Sequence, residues 1–322
     1  MLFINRWKEL VLALENGSYL DYIQDIDDVW LYVGGEDGSD SLKRKDSGIS
    51  IFPRFSLHYV LDIIMTQSKS LKNLVLQFHS ELTNQLPWKE CLDRIMTLDL
   101  RMRVNESLCS SIFTSPSASL TSLNLSWAEI PDSSLILIAI YCPALLNISI
   151  HITDLDSRSR YHLRYEPGTS NLITDDGFSA VINGCLKLQT MLIYPLIQVS
   201  RISDIAKLKH LQEMAITLNA EKGVTFSSIF KLLLTMPNIS KAHLISGNKN
   251  NLASRVINEE ELFATLQTCH LKVLRLVDMD FSKNLEGFPS YYGGLSHPWM
   301  IADLKQRLSF SFPLLNILIE FK

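Results

Sequence analysis

Apolar residues recur along this chain in a short template, with three positions at offsets 0, 3 and 5. The template is met at Leu71/Leu74/Leu76, Ile95/Leu98/Leu100, Leu120/Leu123/Leu125, Leu145/Ile148/Ile150 and Leu188/Met191/Ile193. It continues at Leu211/Met214/Ile216, Ile239/Ala242/Leu244, Leu271/Leu274/Leu276 and Leu314/Ile317/Ile319. Successive copies start 24, 25, 25, 43, 23, 28, 32 and 43 residues apart. The second and third positions are two residues apart, so each copy predicts a short strand with one apolar face.

A second pattern fills the gaps between these strands. Ile130/Leu135/Ile138/Cys142, Ile173/Phe178/Val181/Cys185 and Val224/Ile229/Leu232/Met236 all carry apolar anchors at offsets 0, 5, 8 and 12. A fourth copy, Ile257/Leu262/Thr265/Cys269, departs at Thr265, with Leu266 beside it. The middle anchors lie one helical turn apart, which predicts a loop residue followed by a short amphipathic helix. Thr174-Asp175, Pro131-Asp132 and Ser56 stand where N-caps belong. A unit of strand, loop and helix cannot bury its apolar face alone, whereas stacked units form a continuous core.

With these residues in view, the chain resembles the cysteine-containing leucine-rich repeats, whose pattern runs L-x-x-L-x-L, then an isoleucine, often T-D, then a helix ending in C-x-x-L. Ile173-Thr174-Asp175 through Cys185-Leu186-Lys187-Leu188 follows that pattern almost position for position. Five of the eight spacings fall within the usual length of such repeats. The resemblance covers residues 26–321, is strongest over 120–194, and implies an α/β fold. That fold is a right-handed leucine-rich-repeat solenoid with an inner parallel sheet and outer helices. Repeats of this subfamily are typical of F-box proteins, the substrate receptors of Skp1–cullin–F-box ubiquitin ligases, and related arrays exist without an F-box.

Asn5-Arg6-Trp7-Lys8-Glu9-Leu10-Val11-Leu12-Ala13 is similar to the last helix of an F-box, which often carries an Arg-Trp-x-x-Leu run. The earlier F-box helices have no counterpart before it, so the expected F-box is absent or truncated. The organisation expected is a helical N-terminal segment over residues 1–25, either an F-box remnant or a plain cap of the array, followed by the repeat domain over 26–322. Trp7 and Leu10 are expected to pack around Val29 and Leu31. Excess spacing locates loops at 151–172 and 279–298, with a smaller one at 246–255, and the polar, glycine-rich composition of 34–50 marks another. Solenoids often carry binding residues in such insertions.

Composition narrows the function further. At 322 residues, 47% of them hydrophobic, the chain can bury a large core. A formal charge of −4 gives no general drive toward nucleic acid or an anionic membrane, and neither is expected as a partner. No uncharged apolar run reaches the length of a membrane helix, and Lys8 and Glu9 interrupt any signal-like start. The expected location is intracellular, cytoplasmic or nuclear. Cys91, Cys109, Cys142, Cys185 and Cys269 are widely spaced, which excludes C-x-x-C zinc pairs and argues for reduced, buried thiols.

No phosphate-binding glycine loop, H-E-x-x-H helix or G-x-S-x-G elbow occurs. The expectation is a non-enzyme with no cofactor and no metal. Residues alternating with the anchors should point to the concave face. Asp99, Arg101, Trp127, His151, Tyr194, His243, Arg275 and Asp278 are therefore the candidate binding residues for a protein substrate. A Skp1-like adaptor is a further expected partner if an F-box is present in the full gene product. A non-ligase scaffold or inhibitor with the same repeats is the alternative.

Overall fold

The computed structural model describes residues 2–4, 28–32, 57–77, 86–151, 173–193, 197–198, 201–218, 224–246, 256–277, 280–282 and 298–320. The chain divides into two compact units, Met1–Leu145 with Ile152–Leu163, and Leu146–His151 with Arg164–Lys322.

The first unit alternates strands with helices. It comprises β1 (Leu2–Ile4), β2 (Asp28–Tyr32), α1 (Leu57–Gln67), β3 (Asn73–Gln77), α2 (Trp88–Leu92), β4 (Thr97–Asn105), α3 (Glu106–Ile112), β5 (Ser122–Glu129) and α4 (Asp132–Tyr141). Its five strands pair in sequence order, all parallel. The second unit comprises β6 (Asn147–His151), β7 (Ile173–Thr174), α5 (Asp175–Gly184), β8 (Thr190–Ile193), β9 (Ile197–Gln198) and a 3-10 turn (Ile202–Lys207). It goes on through β10 (Glu213–Leu218), α6 (Phe226–Leu234), β11 (Lys241–Ser246), β12 (Val256–Asn258), α7 (Glu259–Thr268), β13 (Val273–Val277), β14 (Asp280–Ser282), α8 (Pro298–Ser311) and β15 (Asn316–Glu320). Strands β6, β8, β10, β11, β13 and β15 pair in that order, again all parallel. Each unit is thus a stretch of the leucine-rich-repeat solenoid that the spacing predicts.

The register aligns the template copies one on another. Leu74 pairs with Leu98, and Leu98 with Leu123. In the second unit Ile148 pairs with Met191, Met191 with Met214, Met214 with Ala242, and Ala242 with Leu274. Every template position from Leu71 to Leu244 is at most 3% exposed. The backbone repeats a matching device between turns, in which one carbonyl accepts two successive N–H groups from the next turn. Gln189 O takes Gln212 N at 2.8 Å and Glu213 N at 3.0 Å, and Gln212 O takes Ser240 N and Lys241 N. Polar backbone groups entering each strand are thereby satisfied without side chains.

The helical pattern holds equally. Ile130, Leu135, Ile138, Cys142, Ile173, Phe178, Val181, Cys185, Val224, Ile229, Leu232 and Met236 are all buried. In the imperfect copy Thr265 and Leu266 are both buried and Cys269 is half-buried. Thr174 caps α5 through Asp176 N, as its position predicts, while Pro131 precedes α4 without a side-chain bond. Ser56 lies outside the described residues. Three caps went unread: Asn105 accepts from Leu108 N, Thr225 forms a capping box with Ser228, and Asn258 accepts from Glu260 N and Glu261 N.

Three local features depart from the expected unit. Ile173 and Ile257, expected in loops, lie in short strands, β7 paired with β9 and β12 paired with β14. The shortest spacing, between Leu188 and Leu211, leaves room for only a 3-10 turn in place of an α-helix. At the N-terminus Leu2–Ile4 is a strand paired with β2, where a helical segment was expected, and β-prone Leu-Phe-Ile suits that pairing. Residues 5–25 of the expected helical cap, Trp7 and Leu10 among them, lie outside the described residues. No helix among the described residues is long and apolar enough to cross a membrane.

Candidate functional site

Because anchors occupy alternate strand positions, the intervening residues share the opposite face of each sheet. Parallel pairing stacks them into rows. In the first unit one row runs Asp28, Asn73, Thr97, Ser122, and the next runs through Val75, Asp99 and Asn124. Tyr32, Gln77, Arg101 and Ser126 form a third.

Asp99 is the hub of this face. It is only 8% exposed, and both carboxylate oxygens are occupied. Arg101 Nε donates to Oδ2 at 2.9 Å, and Asn124 Nδ2 donates to Oδ1 at 2.9 Å. Burial pushes the Asp99 carboxyl above its ordinary range, against the opposing pull of the Arg101 guanidinium and both hydrogen bonds. Asn73 Nδ2 donates to Asp28 Oδ1 at 2.6 Å in the row alongside. The Arg101 side chain, 44% exposed, is held by Asp99 with its outer edge toward solvent.

A raised carboxyl value sets a pH dependence whose sign is fixed. Protonation favours the folded state here, so the contribution of Asp99 to stability is present below the ordinary carboxyl value. It is lost as pH rises through the folded value. Asp99→Asn should therefore gain on the wild type between pH 4 and pH 7. Urea midpoints of both proteins at the two pH values check this, and a difference that does not change with pH would refute it.

In the second unit Glu213, Lys241 and Val273 share a row, and Ala215, His243 and Arg275 share the next. Glu213 Oε2 lies 3.2 Å from Lys241 Nζ, directly across the ladder. Its Oε1 lies 2.9 Å from His243 Nε2, on the diagonal. Ala215, buried and small, leaves room for the imidazole to reach back over it. Glu213 thus occupies Nε2 and leaves Nδ1 as the second ring nitrogen. That Nδ1 is buried and has no hydrogen-bond partner. Among the described residues no hydroxyl or thiol meets that nitrogen as a triad's nucleophile would.

Five of the eight expected site residues, Asp99, Arg101, His151, His243 and Arg275, lie at strand positions alternating with the anchors. Trp127 lies in β5 and has the parity of Leu123 and Leu125, and His151 ends β6. The side chains of both, and Tyr194 and Asp278 entirely, fall outside the described residues. Sequence reasoning missed Asn124, Glu213 and Lys241. Each sits about one repeat from its partner, with separations of 25, 28 and 30 residues for Asn124–Asp99, Lys241–Glu213 and His243–Glu213. Among the described residues no group of three or more His, Cys, Asp or Glu is placed to hold a metal ion. What these faces can do chemically is present oriented donors and acceptors.

No protein-family model matches the chain. No curated protein matches it either. Among solved structures, it is similar to that described as "Crystal structure of TLR13-ssRNA13 complex", at 13% sequence identity and a TM-score of 0.36. That alignment covers 80% of this chain and 37% of the other, so this chain spans well under half the length of that structure.

Proposed function

We propose that this chain is a recognition module that binds a protein partner on the strand faces turned away from the helices, and is not an enzyme. The observation that carries the reading is the cross-strand polar network. Asp99 with Arg101 and Asn124, and Glu213 with Lys241 and His243, hold long side chains in one orientation before any partner arrives. Pre-ordered side chains lose less entropy on binding, and Arg is enriched among residues that dominate interface energies.

The finer reading is substrate binding for an F-box-type ubiquitin ligase. It is supported by the Cys142 and Cys185 repeat pattern and by the Arg6-Trp7-x-x-Leu10 run. Arg101→Glu and His243→Ala should each lower the yield of a partner captured by cross-linking to the chain, while circular dichroism stays unchanged. A ligase role further requires that the partner's ubiquitination fall when the chain is removed. A stable partner whose ubiquitination is unaffected would favour the scaffold or inhibitor alternative.

The F-box similarity is confined to one helix-length segment, whereas an F-box contacts its adaptor through several helices together. Residues 1–322 should therefore hold a purified Skp1-like adaptor weakly or not at all. Tight, stoichiometric capture in a pull-down would show that Asn5–Ala13 belongs to a complete docking element.

A further inference from the structure

Helices α7 and α8 of the second unit are bridged at one point and otherwise leave a groove of about 700 Å³ between them. Glu259, Glu260, Phe263, Asp303, Arg307 and Phe310 line it. Arg307 makes the bridge. Its Nη2 lies 2.8 Å from Glu259 Oε2 and its Nε lies 3.0 Å from Asp303 Oδ2. Its guanidinium also lies 5.9 Å from the centroid of the Phe263 ring. One cation therefore already sits on two carboxylates and an aromatic face, the combination that suits a guanidinium.

Beyond that bridge the lining holds a third carboxylate, Glu260, and a second aromatic ring, Phe310. Three carboxylates face a single arginine, so the lining is net acidic, and Glu260 is exposed. Phe310 is 90% exposed, although a phenylalanine placed this openly on a helix gains nothing in stability from being there. Placing Glu259, Glu260 and Glu261 in the first turn of α7 suits the helix dipole, which accounts for those acids structurally. It does not account for Phe310.

We propose that this groove docks a basic segment of a partner protein. An Arg or Lys of that segment pairs with Glu260 and the neighbouring carboxylates, and an adjoining apolar side chain covers Phe310. Charge complementarity selects this occupant, and Arg307 is an internal stand-in that shows how a bound cation sits. Arg307 then competes with the incoming cation for Glu259 and Asp303. The site is separate from the strand faces and stands or falls independently of them.

The probe is a fluorescein-labelled peptide of alternating Arg and Leu, titrated into the whole chain by anisotropy, with a Glu/Leu peptide as control. Binding of the Arg/Leu peptide alone, weakened by salt, is expected. Phe310→Ser should weaken it roughly tenfold, as loss of an exposed aromatic anchor does. Glu260→Lys should weaken it at least as much, and Arg307→Met should tighten it roughly threefold by removing the cation that competes for Glu259. Phe310 and Glu260 are exposed, so neither change threatens the fold. Equal binding of the Glu/Leu peptide would overturn the proposal. So would indifference to Phe310→Ser or Glu260→Lys, or weaker binding by Arg307→Met.

Discussion

Between pH 9 and pH 11 this protein should lose stability at about 4 kcal/mol per pH unit through three thiols alone. Burial pushes Cys91, Cys109 and Cys185 from an ordinary value of 9.0 up to about 12. For each of them desolvation is the largest cause, and neither the Arg94 charge beside Cys91 nor the Ser134 hydrogen bond at Cys109 offsets it. Below pH 9 both folded and unfolded chains keep these protons, and the thiols stabilise the fold as ordinary core residues. Above it the unfolded chain releases them while the folded chain holds them, so the balance tilts toward unfolding until about pH 12. Each thiol contributes roughly 1.4 kcal/mol per pH unit in that window, and three contribute together. Against a typical total stability of about 5–15 kcal/mol, that is enough to unfold the chain near its upper end. Urea unfolding in reductant at half-unit steps of pH measures the slope. The combined variant Cys91→Ala, Cys109→Ala and Cys185→Ala will be less stable at pH 8 because it leaves cavities. Its slope should nevertheless be much flatter, since it lacks the three thiols that give up their protons only on unfolding. Parallel slopes would show that these thiols are not held in the apolar interior.

The same cysteines show what a reader of the sequence can reach. Cys142 and Cys185 were placeable because the anchors around them recur at short, fixed offsets, and offsets within a helix or strand are set by local geometry. Both are fully buried. The caps at Asn105, Thr225 and Asn258 follow equally local rules, but polar residues before helices are common enough that the signal needs the helix start to be known. The polar hubs are a different case. Asp99 and Asn124 meet only because one repeat brings residue 99 beside residue 124, so the relevant distance is the repeat length and not any local offset. Once the strands are stacked, Asn124 is the residue opposite Asp99, and Lys241 the residue opposite Glu213. The 3-10 turn at Ile202–Lys207 is legible only as a shortened spacing between Leu188 and Leu211.

Truncating Leu188 to alanine should cost about 2–5 kcal/mol, and truncating Leu314 should cost almost nothing, although both hold the first position of the same template. Leu188 is 0% exposed, with Cys185 closing the turn beside it through the Leu188 N to Cys185 O hydrogen bond of 3.1 Å. Leu314 is 93% exposed. The sequence pattern alone treats them as equals. The difference is stacking: Leu188 leads into β8, which is paired on both sides, with β6 and with β10. Leu314 leads into β15, which among the described residues pairs only with β13. Among the described residues no strand lies beyond β15 to cover Leu314, so this first position stays open although it fits the motif. The last turn still holds together through Leu304 and Leu308 on α8 and Ile319 on β15, all buried. Its loss of one anchor is therefore local. Chemical denaturation of the two variants tests the contrast, with Leu304→Ala as a reference expected to behave like Leu188→Ala. Equal costs at positions 188 and 314 would mean that the final turn is covered by something the described residues do not include.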